Sequence, residues 1–482
     1  MKIPFGGRVL VLGCGAVSRS LLPLLLRHLD MDFTKLTVMD FEDYRHEIVE
    51  AMAAGAHWAQ EKITPGNLAA LGQHLGAGDL LIDLAWNIDC GEIVQWCHDH
   101  NVLYINTSVE LWDPNYDTDT PPAERTLYVR HMALRKRVQS WNEPGATAVV
   151  EHGANPGLVS HWAKIGLEDI AAMMLKTMPD LPKDRRAALE KALADSDYAR
   201  LALYTGTKVI HISERDTQIS NRPKEVNEFV NTWSIEGFRE EGIAPAEIGW
   251  GTHERRLPSG AHKHSHGPGN QICLSRMGIN TWVRSWVPGG EIIGMVVRHG
   301  ESFTLSDHLT VWDDGAPIYR PTVHYAYLPT DAAIASLHEF KMRGHELQPK
   351  SRIMEDEIVS GKDELGVLLM GHDLNGWWVG SQLDIEEARR LVPGQNATTL
   401  QVAASVLGAL FWMIRNPHKG LNVPDDLPHK EVLAVANPYL GPCPSIQTDW
   451  TPLKNRNNAF DQYGQPRPRE EDVWQFETFL VS

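Results

Sequence analysis

A doubly wound α/β domain of Rossmann type, followed by a second α+β domain, is the architecture this sequence predicts, and three observations predict it. Short apolar runs alternate with helix-like stretches as far as residue 155. A glycine turn, Gly13-Cys14-Gly15, separates the first run from the helix-like segment behind it. Beyond residue 157 the rhythm stops, and charged helical stretches give way to scattered Trp, His and Gly. Strand and helix in regular alternation imply a parallel sheet with helices on both faces.

Taken in order, RVLVL (8–12) reads as the first strand, and RSLLPLLLRHL after the turn has apolar positions suited to a helix. LTVMD (36–40), LLIDLAW (80–86), VLYINTS (102–108) and TAVVEHG (147–153) follow as further strands, completing a cofactor domain over 1–155. Within 156–394, VIHISERDTQ, TWVRSW, EIIGMVVRHGESFTL and PTVHYAYLP alternate or cluster as strands do, which predicts a mixed, largely antiparallel sheet for binding substrate and dimerising. From Gln395, QNATTLQVAASVLGALFWMI is helical in pattern and is expected to pack back on the first domain, leaving a Pro-, Asn- and Asp-rich tail to residue 482 as an ordered loop or interface arm.

Composition narrows the function. With 43% hydrophobic and 22% charged residues the chain reads as globular, and LLPLLL (21–26) is too short to span a bilayer. The opening residues lack an apolar run with a small-residue cleavage site, so a cytoplasmic location is expected. Five cysteines, odd in number and without a CxxC pair, argue against a disulfide framework or zinc ribbon. A net charge of −17 repels nucleic acid and anionic lipid and draws small cations toward a suitable cleft.

The glycine turn has the chemistry of a dinucleotide site. Gly13 permits the tight bend, Gly15 lets backbone approach a pyrophosphate, and the helix opening at Ala16 and Val17 offers free N–H groups and the positive end of its dipole. Ser18 stands where the usual third glycine would be and is small enough to keep strand and helix in contact. Asp40 ends the second strand, where a carboxylate accepts from ribose hydroxyls and repels a 2′-phosphate; this favours NAD over NADP, although Arg45 lies close by.

One octapeptide, NTWSIEGF (231–238), sets Trp233 before Glu236. Alone it reads as a core tryptophan and a solvated glutamate, but an aromatic face beside a carboxylate also suits an organic cation. Together with GCGAVSRSLLPL, NTSVELW, GANPG, IHISERDTQ, RHGES, DELGVLL and NATTLQV, it resembles the bacterial homospermidine synthases, from about residue 5 to the C-terminus, with an architecture similar to the saccharopine dehydrogenases. The resemblance implies NAD-dependent joining of two putrescines, or of spermidine and putrescine, into homospermidine through an imine, in a homodimer.

It also implies residue roles. Glu110 would bind substrate amine near the hydride, and Asn155 would sit beside the reacting carbon and the cofactor, with Thr107 at the neighbouring strand end. Glu214, Glu236 and Glu241 would hold ammonium groups and relay protons, Trp233 would supply the cation–π face, and His299 and Asp363 would complete the polar lining. Where the family carries an acid after the fourth strand this chain has Asn87, with Asp89 two residues on. His262, His264 and His266 alternate as metal ligands can, but Gly and Pro mark a loop and no Cys or carboxylate completes a set, so no metal is expected. Two other functions compete: an NADPH-dependent saccharopine-type reductase, which needs arginines such as Arg215, Arg284 and Arg298 for a substrate carboxylate, and a non-catalytic NAD or polyamine sensor.

Overall fold

The computed structural model describes residues 2–114, 119–456 and 468–481. Its first sheet runs Leu421–Asn422, Ala148–Val149, Leu103–Asn106, Leu80–Asp83, Val9–Leu12, Leu36–Asp40, His57–Gln60, with every pairing parallel. Val9–Leu12, Leu80–Asp83 and Leu103–Asn106 are buried along their whole length, as strands covered on both faces must be. The strand order reverses between Val9–Leu12 and Leu80–Asp83, which opens a crevice beyond their carboxyl ends.

Ten strands make the second sheet. Its main path is Ala261–Lys263, Gln271–Met277, Pro245–Gly249, Thr322–Leu328, Val209–Asp216, Lys362–His372, Asn375–Asp384, Ser445–Thr448, with the hairpin Trp282–Val287/Gly290–Met295 joined at Tyr327. Only Thr322–Leu328 and Val209–Asp216 pair in parallel, so the mixed and largely antiparallel sheet read from the sequence is present. The long helix Leu158–Thr177 covers one face of it, close enough that a Cβ on Gly166 would stand 2.7 Å from Leu369.

The helix Ala397–Arg415 packs against Ala16–His28, the helix behind the glycine turn. Asn396 caps it by accepting from the Thr399 N–H at 2.8 Å, and Ser20 donates across the interface to Gln395 at 2.7 Å and to Thr399 at 3.0 Å. This helix is long and apolar enough to cross a membrane by composition, but 89% of that apolar window lies buried in the protein, which makes it a core helix. The segment after it serves both sheets: Leu421–Asn422 extends the first and Ser445–Thr448 the second.

Its other neighbour, the helix His429–Ala436, comes so near that a Cβ on Gly408 would stand 2.8 Å from the Val432 carbonyl oxygen. Backbone cannot swing aside as a side chain can. Gly408→Ala should therefore cost stability, by up to about 2 kcal/mol after the gain in helix propensity is deducted from the overpacking strain. Chemical denaturation of the two proteins measures this, and equal midpoints would show that the two helices separate freely.

Candidate functional site

The crevice begins at the glycine turn. Gly13 adopts φ +88, and a Cβ there would stand 2.9 Å from the backbone of Ala85. Ser18 donates to the Gly13 carbonyl at 2.5 Å, holding the first helical turn against the loop. Gly15 caps the helix without a side-chain partner and has open space where a Cβ would be, so the free N–H groups at Ala16 and Val17 face room for a phosphate pair. Asp40 binds back to this loop, accepting from the Cys14 N–H at 2.7 Å and the Glu42 N–H at 3.1 Å. Arg45 is held by Asp43 through two hydrogen bonds of 2.6 and 2.9 Å. These residues fit a dinucleotide whose ribose lies against Asp40 and whose other end reaches the inner cleft.

That inner cleft is a cavity of about 170 Å³, lined among others by Val17, Trp86, Thr107, Glu110, Asn155, Glu214, Trp233, Glu241, His299 and Tyr325. It lies where the GANPG junction meets the second sheet. Glu214, 3% exposed, accepts from the Asn155 amide at 2.9 Å and from the Tyr325 hydroxyl. Burial drives its pKa up to about 8, with the Asp216 charge adding to the rise and the hydrogen bonds from Tyr325 and Asn155 opposing it. His299 shows the opposite balance: burial would lower it, but Glu241 at 3.2 Å and Glu301 at 3.6 Å hold it protonated, up to about 10. Glu110 accepts from Ser108 at 2.9 Å through one carboxylate oxygen; the other is buried without a partner, and burial together with Glu240 raises its pKa well above the ordinary range.

Trp233 forms one wall. Its indole N–H donates to Tyr327 at 2.9 Å and its ring packs 5.3 Å from Phe238, leaving the remaining surface toward the cleft. Trp233 lies just before the N-cap Ser234 of the helix Ile235–Ile243, and Gly237 and Glu241, four apart, share the lining side of that helix. Glu236 falls a third of a turn away and is exposed, so the structure removes it from the cleft. Asp363 is fully buried behind the lining; it accepts from Thr398 at 2.7 Å, and it is Thr398 that meets the cavity. Asn87 ties down the loop at Asp113, donating to its carboxylate at 2.8 Å, and Asp89 caps the helix Cys90–His100. Neither lines the cleft.

His264 stacks on Tyr128 with ring centroids 4.1 Å apart, and no trio of His, Cys, Asp or Glu among the described residues is arranged to hold a metal. Arg284 donates to the Lys454 carbonyl outside the cleft, and Arg215 is also absent from the lining. Arg298 stands at the edge of the cleft rather than in its lining, and its charge is engaged by Glu240 at 2.5 Å. Sequence reading missed Tyr325, Glu240 and Glu301. Only the first had a signal: in HYAY, Tyr325 and Tyr327 lie two apart and so face one side of the sheet.

The glycine turn, the carboxylate-lined cleft at a domain junction and the two sheets define a Rossmann-type enzyme of saccharopine dehydrogenase architecture. Residues 9–149 match the model of the saccharopine dehydrogenase NADP binding domain, and 153–443 that of the saccharopine dehydrogenase C-terminal domain. The chain is 42% identical to the homospermidine synthase of Blastochloris viridis, over 98% of this chain and 97% of that one, and 39% identical to that of Mesorhizobium japonicum, over 98% and 96%. The crystal structure of the Legionella pneumophila homospermidine synthase in complex with NAD superposes with a TM-score of 0.87 at 38% identity, covering 100% of this chain and 99% of that one. The chain belongs to the homospermidine synthase family.

The raised pKa of Glu214 has a measurable consequence. Because the folded state keeps this proton to about pH 8 while the unfolded state releases it near the ordinary glutamate value, native stability falls as pH rises through that window. Glu214→Gln removes the effect. The stability of the wild type relative to Glu214→Gln should drop between pH 5 and pH 8 and then level off. A difference independent of pH would mean that Glu214 is ionised throughout.

Proposed function

We propose that the protein is a homospermidine synthase that works with bound NAD, joining an aminobutyl group from one diamine to the amine of a second. The single observation that carries this is Glu214: a buried carboxylate of raised proton affinity, held by Asn155 and Tyr325 beside the face of Trp233. Diamines arrive doubly protonated, and the reacting nitrogen must lose its proton. A base whose proton affinity approaches that of the amine narrows the gap.

NAD, when bound, takes a hydride from the carbon bearing the amine and later returns it. The chain's own residues do the rest. The helix start at Ala16 and Val17 holds the pyrophosphate, and Asp40 selects NAD over NADP by meeting a 2′-phosphate with like charge, with Arg45 already bound to Asp43. Glu110 and Glu241 neutralise the ammonium groups that do not react, and Asn155 fixes the Glu214 carboxylate. Trp233 stabilises the cationic centre and, with Trp86 and Tyr325, keeps water from the imine. A homodimer in the cytoplasm belongs to the same reading, supported by the resemblance and by free cysteines, four of which are buried.

Incubation with putrescine and NAD⁺, without added reductant, should yield homospermidine and ammonia; a product that forms only with an aldehyde and NADPH would mark a reductase instead. Trp233→Phe should retain partial turnover. Trp233→Ala should lose about 1–2 kcal/mol of cation stabilisation, roughly a tenfold or larger fall in kcat/KM. Melting temperatures and rates of both variants separate this from packing: an unstable Ala variant whose folded fraction turns over normally would place the cation elsewhere.

A further inference from the structure

Two arginines stand at the edge of a cleft built for cations. Arg130 and Arg298, 7% and 4% exposed, both direct a guanidinium NH2 at the same oxygen of Glu240, at 2.7 and 2.5 Å, and Glu240 is itself only 5% exposed. Burial alone would raise the Glu240 pKa, but Arg298 and Arg130 outweigh it and hold the carboxyl down at about 2. Glu247, itself fully buried, also acts on both guanidiniums, and Glu241 on Arg298, so the two cations are held among carboxylates. The Nε of each arginine is buried without a hydrogen-bond partner.

The trio separates two spaces. On one side lies the edge of the catalytic cleft, with Ser108, Glu110, Glu241 and His299. On the other is a cavity of about 330 Å³ whose lining includes Leu111, Trp112, Ile243 and Met277. Two guanidinium NH2 groups converging on one carboxylate oxygen form a seat that the carboxylate of an amino-acid ligand can take. Here the carboxylate comes from within the chain.

We infer that Glu240 determines specificity by occupying the two-arginine seat that the α-carboxylate of an amino-acid substrate would take, which reserves the cleft for amines without a carboxylate. The inference rests on the diamine reading above. Ornithine is putrescine with one carboxylate added beside an amine. In the wild-type cleft that group meets the Glu241 carboxylate as a like charge and finds both guanidiniums engaged, an arrangement that rejects it by repulsion as well as by lack of a partner. Removing the Glu240 side chain leaves a carboxylate-sized gap beside two guanidinium NH2 groups that have lost their acceptor.

The test compares putrescine with ornithine as competing ligands, through titration calorimetry and through kcat/KM, in the NAD-loaded wild type and in Glu240→Ala, Glu240→Gln and Glu240→Ala/Arg298→Met. The preference for putrescine should narrow roughly tenfold or more in Glu240→Ala, less in Glu240→Gln, and not at all in the double variant, which has lost one fork. Acetate should raise the melting temperature of Glu240→Ala and leave that of the wild type unchanged. Should Glu240→Ala fold only in acetate, that dependence supports the seat, and the Gln variant supplies the ratio. An unchanged preference in both single variants, or an equal gain in the double variant, overturns the inference. A wild type that does not convert putrescine counts instead against the diamine reading.

Discussion

Crowded carboxylates are the constraint on which the rest of this structure depends. Glu110, Glu151, Glu214, Glu240, Glu241 and Glu301 gather around one cleft and its edge, in a protein that already carries a net charge of −17. Like charges at such density cannot all ionise in a low-dielectric interior. The structure meets the difficulty group by group. Glu240 is paired with two arginines, Glu151 with His131 at 2.8 Å, and Glu241 and Glu301 with a protonated His299. Glu214 and Glu110 instead hold their protons above the ordinary range. A dicationic ligand completes this arrangement, since the charges it brings are those the cleft lacks.

How much of this was legible follows from the range of each interaction. The glycine turn, the strands and Asp40 could be read because strand, turn and helix are local patterns. The late helix was legible as a helix, and in the structure it packs against Ala16–His28. Helical phase was the finest detail within reach and the easiest to miss. Gly237 and Glu241 share a face, whereas Glu236 and Glu240 point to solvent and to the arginines respectively, each about 100° from its neighbour. Ser234, whose hydroxyl accepts from the Gly237 N–H at 3.0 Å, marks the helix start from which that phase can be counted. Arg130, Glu240 and Arg298 were beyond reading, because no local pattern announces partners 110 and 58 residues apart.

The two domains meet through side chains rather than through a linker alone. Asn155 belongs to the junction turn and Glu214 to the second sheet, and their hydrogen bond fixes the one against the other. Arg19, one turn into the helix behind the glycine loop, reaches Glu355 of the second domain at 2.6 Å. Through these two contacts the helix behind the glycine turn and the junction turn are both tied to the second domain.

The strand Leu421–Asn422 completes the edge of a sheet whose other strands all lie before residue 150. During synthesis the amino-terminal third therefore leaves the ribosome with an open edge beside Ala148–Val149 and without the Ala397–Arg415 helix that packs on its first helix. An edge of this kind is a template for pairing with other chains until it is covered. In the order in which the chain is made, that edge stays open until more than two hundred and fifty later residues have followed it.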